Sequence, residues 1–388
     1  MSGYDIFSPA TLGPVGLRNR TIKAATFEGR TPDGIVTDDL IAFHQAQARG
    51  GVAVTTVAGC AVSEDGASTG GQIVMRSEVV SGLRRLTDIV HEAGGAASIQ
   101  LNHAGPVADV RANGHPAVAP GKLFSFISLR NSRAASEADI ERITQDFVDG
   151  ARHAVDAGFD VIEIHMGHNY FISSMLSPKL NKRTDRHGGS LSNRARMARD
   201  VAKRVREAVG DRAAVIAKLS MDDGVPGGTW IDEALQTAQW LDEDGALDAL
   251  ELTVGSSLLN PMYLFKGESP IPEFASVMPQ PVKLGTQLFG KLVLKEYPYQ
   301  DLFLLEQARQ FVPAVKLPLI LLGGVTDRAG MDMAMAEGFS FVAIGRALLR
   351  EPDLINRIEA DKHKRSLCIH CNKCMPTTYT GTRCVLAS

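Results

Sequence analysis

Short apolar runs rich in valine and isoleucine alternate along the chain with longer amphipathic segments. A short β-branched run predicts a buried strand, and apolar positions spaced three to four residues apart predict a helix packed on one face. The runs predict eight strands, at Thr21–Ala25, Val52–Val57, Ala96–Leu101, Asp160–His165, Val215–Leu219, Ala249–Val254, Leu319–Leu322 and Phe341–Ile344. The amphipathic segments predict helices at residues 37–49, 77–93, 136–157, 191–209, 230–244, 297–312, 327–337 and 353–361.

The alternation of strand and helix indicates parallel strands joined by right-handed crossovers. Eight such units predict an α/β fold, a closed (β/α)8 TIM barrel. A doubly wound sheet is the alternative, but no GxGxxG follows the first strand. The N-terminal stretch YDIFSPATLGPVGL predicts a small hairpin that closes the bottom of the barrel.

Two connections are unusually long, at residues 102–135 after the third strand and 255–296 after the sixth. Both leave the C-terminal face, where barrel active sites lie, and long loops in compact domains generally carry function. We expect one barrel domain over residues 1–362 and a cysteine-rich tail over residues 363–388.

Composition narrows the function to that of an ordinary globular enzyme. The 388 residues are 44% apolar and 22% charged, with a net charge of −3, so the chain has no general attraction for nucleic acid or anionic membranes. No apolar run is long enough to span a bilayer, and the N-terminus lacks the layout of a signal peptide. We expect a cytoplasmic homo-oligomer that acts on a small-molecule substrate.

Glycines occur at the ends of the last two predicted strands. Gly323 and Gly324 end the seventh strand, and Gly345 and Arg346 end the eighth. In barrels this pair of turns often binds phosphate through backbone N–H groups, and an arginine neutralises its charge. The alternative is a set of tight barrel-closing turns.

Polar side chains also occur within predicted buried strands and directly after them. In SIQLNHAG, Gln100 and Asn102 share a strand face and His103 follows, which suits a heterocycle with mixed donor and acceptor edges or, alternatively, a satisfied core amide. Lys218 lies inside the apolar strand VIAKLS, where it could stabilise a developing anion or pair with Glu163 or Glu251.

The stretch EIHMGHNY places His165, His168 and Tyr170 at the end of the fourth strand. Two imidazole N–H groups can polarise one carbonyl oxygen, and a tyrosine is a neutral proton donor at pH 7. A zinc pair or hydrogen-bonded core histidines are the alternatives, although no third zinc ligand stands nearby in sequence.

These motifs carry a family resemblance. The run GFDVIEIHMGHNYFISSMLSPKLNKRTDRHGGSLSNRAR, together with LRNRTIKAA, SIQLNHAG, AKLSMDDG, GGVTD and FVAIGRALLREPD in that order, strongly resembles the old yellow enzyme family of FMN-dependent NAD(P)H:flavin oxidoreductases. The resemblance spans nearly the whole chain. It implies a (β/α)8 barrel with FMN over its C-terminal mouth and NAD(P)H as electron donor.

Carried over by position, the resemblance implies roles for individual residues. Ala25, Thr26, Gly59 and Gln100 match the flavin-ring contacts, and Lys218 stands where the family usually has arginine, beside flavin N1. Gly324, Gly345 and Arg346 match the phosphate site. The pair His165 and His168 matches the holder of the substrate carbonyl, and Tyr170 matches the proton donor.

The chain departs from the family at two positions of this site. The first strand reads AATFEG, so Phe27 removes a hydrogen-bond donor at or beside the position that tunes flavin O4 and N5. Lys218 keeps the charge of arginine but lacks its planar fork.

The tail SLCIHCNKCMPTTYTGTRCVL resembles the cluster region of the 2,4-dienoyl-CoA reductase branch, whose larger members carry a [4Fe–4S] centre and a second, dinucleotide-binding domain that we expect to be lacking here. The tail cysteines are Cys368, Cys371, Cys374 and Cys384, and Cys60 stands alone. We expect the four to hold a [4Fe–4S] cluster or zinc, or to remain reduced thiols.

The expected function is therefore hydride transfer from NAD(P)H through FMN to the double bond of an enone or enoate. A flavin-free isomerase or aldolase that binds a phosphorylated metabolite is one alternative. A flavoprotein that oxidises amines or acts on steroids, or an electron-transfer subunit, is another.

Overall fold

The computed structural model describes residues 4–125 and 129–387. Residues 1–3, 126–128 and 388 lie outside the described residues. They include the start of the predicted barrel domain, part of the predicted connection 102–135 and the last residue of the predicted tail. The predicted strands close into one barrel of parallel strands, in which each pairs with its neighbours in sequence and the last pairs with the first. The predicted (β/α)8 barrel is confirmed. Its strands are β1 (Thr21–Lys23), β2 (Val54–Ala61), β3 (Ala96–Asn102), β4 (Val161–Met166), β5 (Ala214–Ser220), β6 (Ala249–Thr253), β7 (Leu319–Leu322) and β8 (Phe341–Ile344).

Most barrel helices lie within one or two residues of their predicted bounds. These helices are Asp38–Arg49, Ser77–Glu92, Glu137–Asp156, Ile231–Glu243, Arg328–Ala336 and Leu354–Ala360. The predicted helix 191–209 is divided, because Leu191–Arg194 forms a separate turn before Arg196–Val209.

The connection after β6 is long, as predicted, but it contains the helices Pro261–Phe265, Ile271–Val277 and Val282–Val293. The predicted helix over 297–312 is wrong in extent, because only Leu305–Ala308 and a 3-10 turn at Arg309–Phe311 are helical. The backbone N–H of Leu302 donates to Gly324 O at 3.1 Å, and this bond ties the preceding segment to the end of β7.

The connection after β3 carries only short elements among its described residues. Helix Val110–Asn113 is followed by two strand pairs, and none of these elements belongs to the barrel. The paired strands are Val118–Ala119 with Arg133–Ala134 and Phe124–Ser125 with Arg130–Asn131.

The bottom of the barrel is closed by an N-terminal hairpin, as predicted. Ala10–Leu12 pairs antiparallel with Val15–Leu17, and Leu12 and Leu17 are buried against the apolar interior of the barrel. A larger apolar core lies between strands and helices, and a cavity that could take a ligand lies at the opposite, C-terminal mouth. None of the described helices is long and apolar enough to cross a lipid bilayer.

Candidate active site at the barrel mouth

A cavity of about 410 Å³ lies at the C-terminal ends of the barrel strands. Twelve residues predicted for catalysis or cofactor binding line it, namely Ala25, Thr26, Gly59, Gln100, His165, His168, Tyr170, Lys218, Gly323, Gly324, Gly345 and Arg346. These residues come from seven of the eight barrel strands or from the turns that follow them. The closed barrel brings them together because the C-terminal ends of parallel strands meet at one face.

The two histidines and the tyrosine form one cluster. Nδ1 of His168 lies 3.3 Å from Nε2 of His165, and Nε2 of His168 lies 3.0 Å from the hydroxyl of Thr253. The ring of Tyr170 lies against His165, with 4.6 Å between ring centroids. His168 therefore has both ring nitrogens engaged within the protein, whereas the buried Nδ1 of His165 has no hydrogen-bond partner in the described structure.

The cluster is uncharged near neutral pH. Burial lowers the pKa of His168 to about 3, and it lowers the pKa of His165 well below the ordinary value. The positive charge of Lys218 acts in the same direction on both. Burial raises the pKa of Tyr170, so its hydroxyl keeps its proton. The arrangement presents neutral hydrogen-bond donors to the cavity, as polarisation of a carbonyl requires.

Lys218 is buried between two carboxylates. Its Nζ lies 2.8 Å from Glu163 Oε1 and 3.0 Å from Glu251 Oε1. Burial opposes the charge, but the two carboxylates outweigh it and raise the pKa of Lys218. The amide of Gln100 is also engaged, because it donates to Glu163 and accepts from the backbone N–H of Gly59. Both side chains line the cavity while making the internal contacts that the alternative interpretation foresaw.

The turn after β7 needs glycine. Gly323 and Gly324 have φ of 100° and 81°, a region that side chains rarely adopt. A Cβ on Gly324 would lie 2.6 Å from Leu302 N, so a side chain would fill the turn. Gly345 directly precedes the short helix Arg346–Arg350. The guanidinium of Arg346 donates to the carbonyl of Lys266 at 3.0 Å and also to Phe265 O and Asn372 Oδ1.

The residues present fit FMN. The glycine turns line the cavity with backbone that a phosphate could approach, and the cation of Arg346 lies beside them. The hydroxyl oxygen of Thr26 is buried without a partner in the described structure, as is Nδ1 of His165, so two polar atoms at the cavity wall await a ligand. Phe27 also lines the cavity and offers no polar atom there.

Asn102 and His103 do not line the cavity. Asn102 is fully buried beside the amide of Gln72, and His103 accepts from the backbone N–H of Gly105 at 3.1 Å. Of the polar positions in SIQLNHAG, the structure therefore brings only Gln100 to the mouth.

Sequence reasoning missed a buried ion pair beside the site. Lys23 donates to Glu28 at 3.0 Å, and Glu28 also accepts from the backbone N–H of Ala58. Ala58 itself lines the cavity. The same signal that marked Lys218, a lysine inside an apolar strand, was present at Lys23. This pair fixes the segment after β1 against β2.

The tail and the long connection complete the cavity wall. Thr382 Oγ1 donates to Phe27 O at 2.6 Å, and Asn372 Nδ2 donates to Glu268 O at 2.9 Å, so the tail is bound to both sides of the mouth. The added wall residues are Ser257, Pro261, Leu264, Phe265 and Phe274 from the connection and His370, Cys374, Met375, Thr378 and Thr382 from the tail.

The four tail cysteines surround one small cavity of about 20 Å³, which Arg346 and Arg350 also line. All four are free thiols, and burial raises the pKa of Cys374 to about 11. Among residues 4–125 and 129–387, no three His, Cys, Asp or Glu side chains are placed to hold a metal ion. The expected cluster or zinc therefore remains a prediction. Cys60 is buried elsewhere, in β2.

A family model described as the NADH:flavin oxidoreductase / NADH oxidase family matches residues 5–254. The 4,4'-dithiodibutanoate disulfide reductase of Rhodococcus erythropolis is 51% identical over 382 residues, which is 98% of this chain and 95% of that protein. The multifunctional alkene reductase/demethylase OYE of Caballeronia cordobensis is 29% identical over 365 residues, 93% of this chain. The chain spans 50% of that longer relative.

Solved structures share the fold. The old yellow enzyme homologue from Zymomonas mobilis has a TM-score of 0.74 and 22% identity, covering 95% of this chain and 96% of the other.

Proposed function

The chain belongs to the NADH:flavin oxidoreductase / NADH oxidase family, the old yellow enzyme family, and on that premise we propose that it reduces a carbon–carbon double bond conjugated to a carbonyl. The family makes it an FMN-dependent NAD(P)H oxidoreductase. The cluster of His165, His168 and Tyr170 at the cavity is the observation that supports the double bond as acceptor.

Residues on several strands would hold FMN. The phosphate would lie at Gly323, Gly324, Gly345 and Arg346, and the ring contacts would come from Ala25, Thr26, Gly59, Gln100 and Lys218. Bound FMN supplies hydride chemistry, accepting a hydride from NAD(P)H and passing it to the acceptor.

His165 would donate to the carbonyl oxygen of the acceptor. If the Thr253 hydroxyl donates to Nε2 of His168, then Nδ1 of His168 carries a proton and donates to Nε2 of His165. Nδ1 of His165 then carries the remaining proton of a neutral ring, and it is the nitrogen that has no partner in the described structure. This tautomer assignment leaves one donor free for a ligand, with His168 fixing its direction.

Tyr170 would supply the proton that completes the reduction. It is half-buried at the cavity and its raised pKa keeps it protonated. A positioned acid of this kind contributes about a hundredfold to ten-thousandfold to a proton transfer.

A second acceptor, a small organic disulfide, is favoured by one observation. The relative that is 51% identical over nearly the whole of both chains is a 4,4'-dithiodibutanoate disulfide reductase. Cleaving a disulfide needs two electrons and two protons and no polarised carbonyl, so this reaction would depend little on His165.

The two acceptors can be separated in one experiment. Protein loaded with FMN and reduced anaerobically with NAD(P)H is mixed with 2-cyclohexenone or with 4,4'-dithiodibutanoate, and flavin reoxidation is followed. We expect Tyr170→Phe to slow the enone reaction by at least about a hundredfold while flavin reduction by NAD(P)H stays unchanged. Full enone turnover by Tyr170→Phe and by His165→Ala would refute these roles.

We further propose the division into a barrel of residues 1–362 and a tail of residues 363–388, a cytoplasmic location and a homo-oligomer. The net charge of −3 and the absence of a membrane-spanning helix among the described residues support a protein without nucleic-acid or membrane partners.

A further inference from the structure

Three charged side chains meet beneath the cavity. Lys218 lines the cavity itself, and Glu163 on β4 and Glu251 on β6 flank its ammonium group from below, at 2.8 and 3.0 Å. Both glutamates are fully buried, with 0% of their surface exposed.

The two carboxylates are not equally supported. Glu163 Oε1 accepts from Lys218 and from the amide of Gln100. Glu251 touches Lys218 without hydrogen-bond geometry, and neither of its oxygens has a hydrogen-bond partner in the described structure. A buried, ionised carboxylate without donors is costly, so Glu251 is the member of the cluster that holds a proton most readily.

The cluster carries a net charge of −1 when all three groups are ionised. Lys23, a cation that interacts electrostatically with Lys218 and Glu163, is itself paired with Glu28 at 3.0 Å, and on β7 the partner of Glu251 is the apolar Ile320. Burial raises the pKa of Glu251 to about 7, with Lys218 opposing and Glu163 reinforcing the shift. The charge of the cluster therefore changes close to neutral pH.

We propose that Glu251 is a redox-linked proton site: its carboxylate takes up one proton from solvent when the flavin gains two electrons, and releases it on reoxidation. The electrons come from NAD(P)H as a hydride, and the carboxyl O–H bond forms and breaks once in each catalytic cycle. This inference rests on the proposed function because it needs flavin in the cavity.

Electrostatics gives the reason for the coupling. Reduction of the flavin adds negative charge next to Lys218, which already forms ion pairs with two carboxylates. A like charge raises the pKa of a carboxyl group, so Glu251 binds its proton more tightly in the reduced protein. Once Glu251 is neutral, Lys218 balances Glu163 and the cluster no longer opposes the added charge.

The test is the flavin midpoint potential as a function of pH, from about pH 6 to about pH 9, in FMN-loaded wild type and Glu251→Gln. Each proton taken up with two electrons steepens the slope by about 30 mV per pH unit. We expect the two proteins to have equal slopes below about pH 7 and the wild type to be steeper above it. Over two pH units this amounts to a hundredfold change in the equilibrium constant, about 60 mV.

If the midpoint potentials of flavin-loaded wild type and Glu251→Gln have the same slope over the whole pH range, the inference is overturned and the proposed function stays intact. A protein that binds no flavin would overturn both. Infrared difference spectra of the wild type alone provide a check that does not depend on the variant. Reduction above neutral pH should produce the C=O band of a protonated carboxyl group that shifts in D₂O, and its absence would also overturn the inference.

Discussion

At the scale of single residues, the site depends on a histidine pair kept neutral by burial. Of the four ring nitrogens of this pair, Nδ1 of His165 is the one without a hydrogen-bond partner in the described structure, because the nitrogens of His168 contact Thr253 and His165. We therefore propose that His168 positions His165. The sequence indicated two converging donors, and the side-chain contacts reduce them to one.

The neutrality of His168 has a consequence for stability. Its pKa in the folded protein is about 3, below the ordinary value of 6.5, so below pH 6.5 the unfolded chain binds a proton that the folded chain does not. Stability supplied by this residue is complete above pH 6.5 and is lost as the pH falls towards 3.

We therefore expect His168→Asn to flatten the acid dependence of the unfolding free energy by about 1.4 kcal/mol per pH unit below pH 6. Denaturant unfolding at several pH values measures this for wild type and variant. Identical acid slopes would show that His168 is not held neutral in the folded protein.

Residue chemistry was predictable where a polar side chain interrupts or ends an apolar strand. His165, Tyr170 and Lys218 were found in this way. Glu251 was foreseen only as an alternative partner of Lys218, since a sequence does not show which inward-facing charges on separate strands meet.

At the scale of elements, the turn after β7 is part of the proposed phosphate site. Replacing Gly324 with alanine would place a Cβ 2.6 Å from Leu302 N at a φ of 81°. The turn would have to move, and we expect FMN binding to weaken by at least about tenfold, as for a loss of about 1.4 kcal/mol.

Gly245→Ala is the matched control for that change. Gly245 has a φ of 64° with nothing within 4 Å of an added Cβ, so the variant has a similar backbone penalty away from the cavity. Fluorescence titration with FMN compares the two. Equal affinities for Gly324→Ala and Gly245→Ala would place the phosphate elsewhere.

Elements with a clear period were predicted well, and the segment 255–312 was not. Helix Val282–Val293 follows Pro279 and Pro281 and contains Gly285 and Gly290, which argue against a helix in sequence. Gly290 has a packing role, since a Cβ there would lie 2.8 Å from Ile271 of the neighbouring helix. The part of the cavity wall that the tail supplies could not be predicted from the sequence either, because its contacts join residues far apart in the chain.

At the scale of the whole molecule, barrel closure follows from eight regular strand–helix units, and the sequence shows these directly. The surface is less ordinary. Because Gly290 faces the neighbouring helix, helix Val282–Val293 turns an apolar face outward. Its exposed side chains are Leu284, Leu288, Phe289, Leu292 and Val293.

We expect this face to be buried between copies of the chain in the proposed homo-oligomer. Leu288, which is 66% exposed, is the test position, and Leu288→Glu should lower the mass found by light scattering towards that of one chain. Met333→Glu changes a methionine that is 50% exposed on another helix and should leave the mass unchanged. An unaltered oligomer for Leu288→Glu would remove this helix from the interface.

The most direct test of the central claim is the visible spectrum of the purified protein after equilibration with FMN and removal of excess ligand, followed by anaerobic addition of NADH or NADPH. We expect one retained FMN per chain, and bleaching of its absorption by one of the two nicotinamide donors. A protein that stays colourless, or retained flavin that neither donor reduces, would contradict it.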